Sequence, residues 1–462
     1  MAVTDLTNKK LTFLESVNLE NGTWQINFKS NNQNFTNLTI EETVRKDCLT
    51  FSSAEPFSLT IASDTQYKGT LEYSTDAATW NTVNKGNAIN SVNNTLYLRG
   101  SSNDEFNSEM ARLGVTGIIQ LSGTHIKCKG NIETLLDYQT VLNGEHPSMA
   151  DFCFVGMFCN CTSLTQAPEL PATTLTYHCY GYMFYSCTNL IKAPALPSTI
   201  LTDHCYSFMF TNCTNLTKAP ELPATTLTEG CYSSMFWNCH KLTTAPVLPA
   251  TTLASTCYGG MFADCTSLTQ APELPATVLE GACYEGMFSG CTNLLQAPAL
   301  PATALTVRCY RWMFKDCTSL TTAPELPATT LAQDCYSSMF QACTNLSTAP
   351  KLPATTLVNA CYNSMFYGCT SLNTLPALPA TTLPGSGYSL GCYQSMFEGC
   401  ISIKLSTTKT KEYTNEYRIP SGTATGTVET YSLRDMFTNT GGTFTGTPTI
   451  NTIYYTSNEI IQ

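Results

Sequence analysis

The chain has 462 residues, a formal net charge of −11 and a charged fraction of only 12%, about half the usual share. A chain of this length can bury a sizeable core in two or three domains. The acidic balance argues against nucleic-acid binding, and no run of about 18 apolar residues is present that would insert into a membrane.

The first 150 residues are predicted to hold three units. Residues 1–55 look rich in strands, around 24–28 and 35–40, and form either a separate N-terminal attachment module or part of the next unit. Residues 56–123 alternate apolar and polar side chains between turn-forming residues, which predicts a small all-β, sandwich-like domain. Residues 124–150, with a short helix expected over 130–138, are predicted to be the N-terminal cap of the repeats that follow.

Residues 151–400 consist of a repeat. The dipeptide Met-Phe recurs every 26 residues, and a tenth copy at Met396 follows a five-residue insertion. The first nine copies begin at Met157, Met183, Met209, Met235, Met261, Met287, Met313, Met339 and Met365. This period lies within the range of roughly 20–29 residues found in leucine-rich repeats. We predict an α/β solenoid of leucine-rich-repeat type with about ten repeats.

Each repeat contains the frame Cys-Tyr-x-x-Met-Phe-x-x-Cys, for example from Cys179 to Cys187. At about 100° per residue, the fixed positions share one helix face and the four variable positions share the other. Strand alternation would place Met183 and Phe184 on opposite faces. The frame therefore predicts an α-helix.

The remainder of each repeat is predicted to be extended, because Pro168 and Pro171 are not tolerated inside a helix. A short parallel strand is expected either at 164–167 or in the Thr-Thr-Leu run at 173–175, and the sequence leaves both open. Residues 401–462 are predicted to be the C-terminal cap, since Ser432 and Thr440 replace the two cysteines of a last frame.

Twenty of the 23 cysteines occupy the two columns of the frame, and Cys48, Cys128 and Cys159 lie outside them. Eight helical residues rise about 12 Å, more than the roughly 7 Å that a disulfide spans, and packed helices lie roughly 8–10 Å apart. We therefore expect free, buried thiols. No zinc motif is present. His178 and His204 occupy one column of adjacent repeats, but we interpret them as solvated residues and predict no metal site.

No catalytic constellation is found. Four carboxylates recur every 52 residues, and we interpret them as a solvated acidic line because a glycosidase pair would need a cleft and matched environments. They are Glu169, Glu221, Glu273 and Glu325. Phosphate-binding loops and nucleophile elbows are also missing from the sequence. We expect a non-enzymatic protein without a cofactor.

Aromatic residues at the variable positions of the frame are the candidate binding residues, because exposed rings often anchor sugars and protein partners. They are Tyr182, Tyr185, Phe208, Trp237, Trp312 and Tyr367. The alternative interpretation is that they are scattered surface aromatics. The opposite face carries mainly Thr, Ala and Pro, and the sequence does not decide which face binds.

The run CTSLTQAPELPATTLTYHCYGYMF, residues 161–184, resembles the BspA-like leucine-rich repeats of gut-bacterial surface proteins and of phages that infect those bacteria. The resemblance implies a leucine-rich-repeat fold and a role in surface attachment. Bacterial members would carry an export leader, and the first 20 residues do not resemble one. We therefore expect a phage virion protein of tail or fibre type.

In this hypothesis the repeats bind a glycan or protein receptor on the bacterial surface, and the N-terminal module contacts other virion proteins. Two alternatives remain, a secreted or surface-anchored bacterial adhesin and a structural virion decoration without a ligand. Self-association into a homo-oligomer is left open.

Overall fold

The structure is a computed structural model that describes residues 46–384, 390–426, 428–429 and 431–462. Residues 1–45, most of the predicted attachment module, lie outside the described residues. The division of the chain into five domains therefore stays a prediction.

Fifteen strands and two helices occur in the described part of the chain. They are β1 (Leu49–Ser52), β2 (Ser58–Ile61), β3 (Thr70–Ser74), β4 (Asn81–Thr82), β5 (Ala88–Asn90), β6 (Thr95–Ser101), α1 (Glu109–Arg112), β7 (Ile119–Ser122), β8 (Ile126–Lys129), α2 (Thr134–Leu142), β9 (Leu164–Gln166), β10 (Thr374–Pro376), β11 (Lys404–Ser406), β12 (Asn415–Arg418), β13 (Gly441–Gly442), β14 (Ile453–Thr456) and β15 (Glu459–Ile461). None of these helices is long and apolar enough to cross a membrane.

Two sheets precede the repeats. One has the strand order β4-β3-β6-β1-β8-β9 and the other has the order β5-β2-β7. Alternate residues of β6 are buried, including Leu96 and Leu98, as a strand with one face on the core requires. Because β1 begins at Leu49 and β8 ends at Lys129, the first sheet extends across the predicted boundaries at 55/56 and 123/124. The helix expected over 130–138 is α2, which covers 134–142 instead.

The predicted helix in the repeats is wrong. In the described part of the chain, the Cys-Tyr-x-x-Met-Phe-x-x-Cys frames form consecutive turns. In the frame at 179–187, the N–H groups of Met183 and Tyr185 donate to the carbonyls of Tyr180 and Tyr182, three residues earlier, at 3.3 and 3.0 Å. The N–H groups of the intervening residues donate to the next repeat, as Tyr182 N–H does to Ser207 O at 3.0 Å.

Positive φ angles explain why a turn rather than a helix forms. Tyr182 has φ of 55° and Ser186 has φ of 57°, and a positive φ is what the third residue of a type II turn requires. The pattern returns every four residues, so two residues point inward and the next two point outward. That in-in-out-out order separates fixed from variable positions as a helix does, so the order of fixed and variable positions does not by itself distinguish the two. The expected α/β character therefore does not hold for these repeats.

Parallel bridges between repeats occur at both of the strand positions that the sequence left open. Parallel bridges join Lys192 to Lys218 after the first conserved leucine, and Thr252 to Val278 in the Thr-Thr-Leu run. Only β9 and β10 reach the length of a strand among the described repeat residues. Proline columns remove N–H donors from the ladder, which accounts for the short pairings.

Successive repeats stack closely through their buried rings. Ring centroids in the tyrosine column, from Tyr180 to Tyr393, lie 5.7 to 6.0 Å apart. In the phenylalanine column, from Phe158 to Phe437, they lie 5.4 to 5.8 Å apart. The helix spacing of 8–10 Å that we expected from the sequence is therefore wrong, because the backbones stack at the spacing of a β-ladder.

The twenty cysteines of the two frame columns are free and buried, as predicted, although for another reason than helix geometry. Nine of the ten thiols of the second column donate to the phenylalanine carbonyl of the preceding repeat, and Cys161, the first of the column, donates to Ile119 O at 2.9 Å. Cys239 Sγ lies 3.1 Å from Phe210 O, and Cys291 Sγ lies 3.1 Å from Phe262 O. Burial raises the pKa of Cys291 to about 12, so the thiol is protonated and remains a donor.

Both ends of the repeat stack are covered. At the N-terminal end, Ile119 N–H of β7 donates to Met157 O at 2.9 Å, and β8 pairs in parallel with β9. At the C-terminal end, Phe437 N–H donates to Gly446 O at 2.9 Å. Strands β11 to β14 form a four-stranded sheet, and β15 pairs with β10. Each end therefore satisfies backbone groups that an open ladder would expose.

Candidate functional site

The variable residues of the frames form one surface of the repeats, which we call the turn face. It comprises the outward side chains of the turn segments at 152–160, 177–186, 203–212 and their counterparts in later repeats. The backbone hydrogen bonds between repeats hold these side chains in columns. All six predicted binding residues lie on this face.

Three of the six predicted residues are brought together by the structure. The rings of Tyr182 and Phe208 stack with centroids 4.8 Å apart and planes 2° from parallel. The ring of Tyr185 lies 5.7 Å from that of Tyr182. All three side chains are partly exposed.

Four further rings extend this group, and the sequence analysis did not select them as binding residues. His178 lies 5.9 Å from Tyr182 and 5.9 Å from His204, between ring centroids. Tyr177 and Phe152 contact each other edge to face at 5.2 Å. The signal was present in the sequence, because 152, 178 and 204 share one column. We call the complete group the aromatic cluster, and its members are Phe152, Tyr177, His178, Tyr182, Tyr185, His204 and Phe208.

The part of the chain that precedes the repeats closes one end of the aromatic cluster. The guanidinium carbon of Arg112, in α1, lies 4.0 Å from the centroid of the Phe152 ring, a cation–π contact. Gly114 lies against Tyr182, and a Cβ atom at this glycine would be only 3.0 Å from the tyrosine ring. Its φ of +68° also favours glycine.

His178 is neutral at pH 7. Burial lowers its pKa to about 4, with smaller contributions from His204 and Arg112. Its Nε2 atom lies 3.3 Å from Ser207 Oγ, while its buried Nδ1 atom has no partner. The two histidines do not make a metal site with a third ligand, since no group of three potential ligands occurs among the described residues.

The other three predicted residues lie apart from the cluster. Trp237 is 43% exposed, and its indole Nε1 donates to Asp264 Oδ2 at 2.8 Å. Trp312 is 36% exposed, and the guanidinium carbon of Arg311 lies 3.7 Å from the centroid of its ring. Tyr367 is 39% exposed.

The opposite face of the repeats is shallow and has few charges. A groove of about 640 Å³ lies between the Ala-Pro segments of the first two repeats and is lined by residues such as Ala167, Pro168 and Pro194. The four regularly spaced glutamates are all exposed on this side.

Stacked 26-residue repeats with buried leucine columns and a variable outer face define a leucine-rich-repeat protein. The model of the BspA type leucine rich repeat region matches residues 155–269 and 259–404, which together are more than half of the chain. The chain therefore belongs to this family, which indicates a repeat protein of surface or adhesion type. Searches of curated proteins and of solved structures found no match.

Proposed function

We propose that the chain is a non-enzymatic attachment protein whose repeats form a solenoid and bind a receptor, glycan or protein, on a bacterial surface. The observation that carries this proposal is the aromatic cluster. Seven rings joined by ring contacts form a partly exposed aromatic patch, and exposed patches of this kind on proteins commonly mark interaction sites.

A comparison between repeats supports a binding role for these rings. The position of Tyr182 and Phe208 is occupied by Ser234, Gly260 and Gly286 in the next three repeats. The fold therefore does not need a ring at this position. Repeats with serine or glycine at this position have the same backbone conformation as those with a ring. The rings of Tyr182 and Phe208 are therefore not required by the fold and can contact a partner.

The experiment measures attachment of the fluorescently labelled protein to bacterial cells. In the variant Tyr182→Ser/Phe208→Ser, both rings are replaced by a residue that other repeats hold at this position. We expect attachment to fall at least tenfold, because anchor residues contribute about 2 kcal/mol or more when truncated. The control is Val247→Glu on the opposite face, where Val247 is 79% exposed and equivalent positions hold glutamate.

Three results would contradict the proposal. Equal attachment of the double serine variant and the wild type would remove the aromatic cluster from the site. Loss of attachment in Val247→Glu alone would assign binding to the opposite face. Release of sugars from surface polysaccharide during incubation would contradict the non-enzymatic assignment.

We further propose that the chain is a component of a phage virion, of tail or fibre type, and that its N-terminal module contacts other virion proteins. The charge-poor composition, rich in Thr, Ser and Asn, and the resemblance to phage-encoded repeats support this placement. Mass spectrometry of purified phage particles should detect the chain. Its recovery in a bacterial envelope fraction, and not in particles, would favour the bacterial adhesin instead.

A further inference from the structure

The turn face contains a second feature, between the third and seventh repeats. The column that holds Phe208 continues through Ser234, Gly260 and Gly286 to Trp312. Backbone hydrogen bonds of 2.7 to 2.9 Å join each of the first four positions to the next repeat, for example Gly286 N–H to Arg311 O. The five positions therefore lie in one line. At the ladder spacing of about 4.8 Å, roughly 19 Å separate the two terminal rings.

The space between Phe208 and Trp312 is open. Gly260 and Gly286 have no side chain. A Cβ atom at Gly286 would meet nothing within 4 Å, whereas one at Gly260 would lie 2.9 Å from Ser234 Oγ, so the open space is centred on Gly286. A ring stands at each end of this gap, and the Arg311 guanidinium covers one face of the Trp312 ring. The five positions form a trough that is bounded by aromatic side chains and has peptide backbone and the Ser234 hydroxyl as its floor. We call it the trough.

Trp237 stands beside the trough. It belongs to the neighbouring column, and the contact between Tyr182 and Tyr185 in the second repeat shows that the two columns are close enough for their side chains to touch. The hydrogen bond to Asp264 fixes the indole orientation. The next position in the column of Trp237 is Ala263, which is too small to cover the indole ring.

Polar groups line the other side. Arg311 Nη1 lies 3.5 Å from Glu285 Oε1, and the Nε atom of Arg311 is buried without a hydrogen-bond partner. Burial raises the pKa of the Glu285 carboxyl, and the positive charge of Arg311 partly offsets this effect. The pair provides donors and acceptors while its two charges compensate each other.

We propose that the trough binds a neutral, linear polysaccharide that lies along the stack of repeats. This inference rests on the proposed attachment function and names its ligand class and a second contact region. The C–H face of a sugar ring packs on an aromatic ring, and its hydroxyl groups need the hydrogen-bond partners that Glu285, Arg311 and Asp264 supply. Compensated charges favour a neutral chain over an anionic one.

The test fills the trough with a side chain that the backbone already accepts elsewhere in the column. Tyrosine occurs naturally at the equivalent position 182, with φ of 55°, and Gly286 has φ of 61°. The variants are Gly286→Tyr and the double variant Gly260→Tyr/Gly286→Tyr. The matched control is Ser364→Tyr, two repeats beyond Trp312 in the same column, where φ is 51°. Thermal unfolding of each variant checks that the fold is retained.

Binding is measured to immobilised dextran, mannan and laminarin, and to the polysaccharide extracted from cells to which the wild type attaches, before and after periodate oxidation. We expect the wild type to bind at least one of these polymers, with loss of binding after periodate for those that carry vicinal hydroxyl groups, such as dextran and mannan. Both trough variants should bind at least tenfold more weakly, and Ser364→Tyr should bind like the wild type. No binding to any polymer, or equal binding by Gly286→Tyr, would overturn the assignment.

Parallel attachment assays separate this inference from the proposed function. If Tyr182→Ser/Phe208→Ser loses attachment to cells and Gly286→Tyr does not, the trough is not a site and the attachment function stands. If cells treated with proteinase K lose attachment while periodate-treated cells retain it, the receptor is a protein and the polysaccharide assignment fails. If the wild type attaches to no cells but binds dextran, mannan or laminarin in the trough, the attachment function fails and the inference stands.

Discussion

Replacing Gly286 with alanine tests the turn geometry directly, because a turn and a helix predict effects of opposite sign. In a helix, alanine is more favourable than glycine by about 1 kcal/mol. In the structure Gly286 has φ of 61°, and a residue with a Cβ atom pays roughly 1–2 kcal/mol in this left-handed region. Alanine also reduces the conformational entropy of the unfolded chain, which stabilises the folded state by about 0.4–1 kcal/mol.

We therefore expect Gly286→Ala to lower the free energy of unfolding by about 1 kcal/mol. No steric term complicates the comparison, since a Cβ atom at this position meets no other atom within 4 Å. The assay is urea unfolding followed by circular dichroism, with the shift in midpoint as the readout. The control is Gly422→Ala, which also has open space around it and has no positive φ. It should be neutral or slightly stabilising. A stabilised Gly286→Ala variant would refute the turn geometry.

Three further predictions concern the core, the thiols and the pH dependence. Phe262→Ala should lower the free energy of unfolding in urea by about 4 kcal/mol, because it removes a buried ring between two stacked neighbours. Tyr367→Ala, at an exposed position, should change the free energy of unfolding by less than about 0.5 kcal/mol. Similar values for the two variants would contradict the stacking of the phenylalanine column. A thiol reagent such as DTNB should label almost none of the 23 cysteines in the native protein and all of them in guanidinium, since burial raises thiol pKa values, to about 12 for Cys291. The pKa of His178 is lowered to about 4 in the folded protein, against about 6.5 in the unfolded chain. The unfolded state therefore binds more protons, and the free energy of unfolding should fall as the pH drops from about 6.5 to 4. His178→Phe should reduce that fall, and an unchanged pH profile would show that His178 does not titrate in this way.

The sequence predicted the repeat length and the inward face of each frame, because a strict 26-residue period fixes which residues recur. It also led to the correct expectation of free, buried cysteines. The helix prediction was wrong because four-residue turns place two residues in and two residues out. A helix at 100° per residue gives nearly the same separation over nine residues.

One column of the sequence contained the information that distinguishes the two. The residue before the second cysteine is mainly asparagine, aspartate or glycine, the residues that most readily adopt positive φ. Asn212, Asn238, Asp264 and Gly290 occupy this column in four successive repeats, with φ between 58° and 74°. Helix interiors disfavour these residues, so their recurrence indicated turns.

The candidate site was predictable only in part. Tyr182, Tyr185 and Phe208 were selected because they are aromatic and lie at variable positions. The extent of the aromatic cluster depends on the short spacing between repeats and on contacts with Arg112 and Gly114, which precede the rings they contact, Phe152 and Tyr182, by 40 and 68 residues. Long-range contacts of this kind are set by tertiary packing, and the repeat pattern does not contain them.

The backbone hydrogen bonding of the turn segments has a consequence for how such a chain changes over evolutionary time. Every interior segment donates to the following one and accepts from the preceding one with the same atoms, as Tyr206 N–H to Cys231 O and Tyr232 N–H to Cys257 O illustrate. An in-frame gain or loss of 26 residues by recombination therefore joins two surfaces that already match. Unit number can vary without a new interface, while point mutations at outward positions change the recognition surface independently of the scaffold.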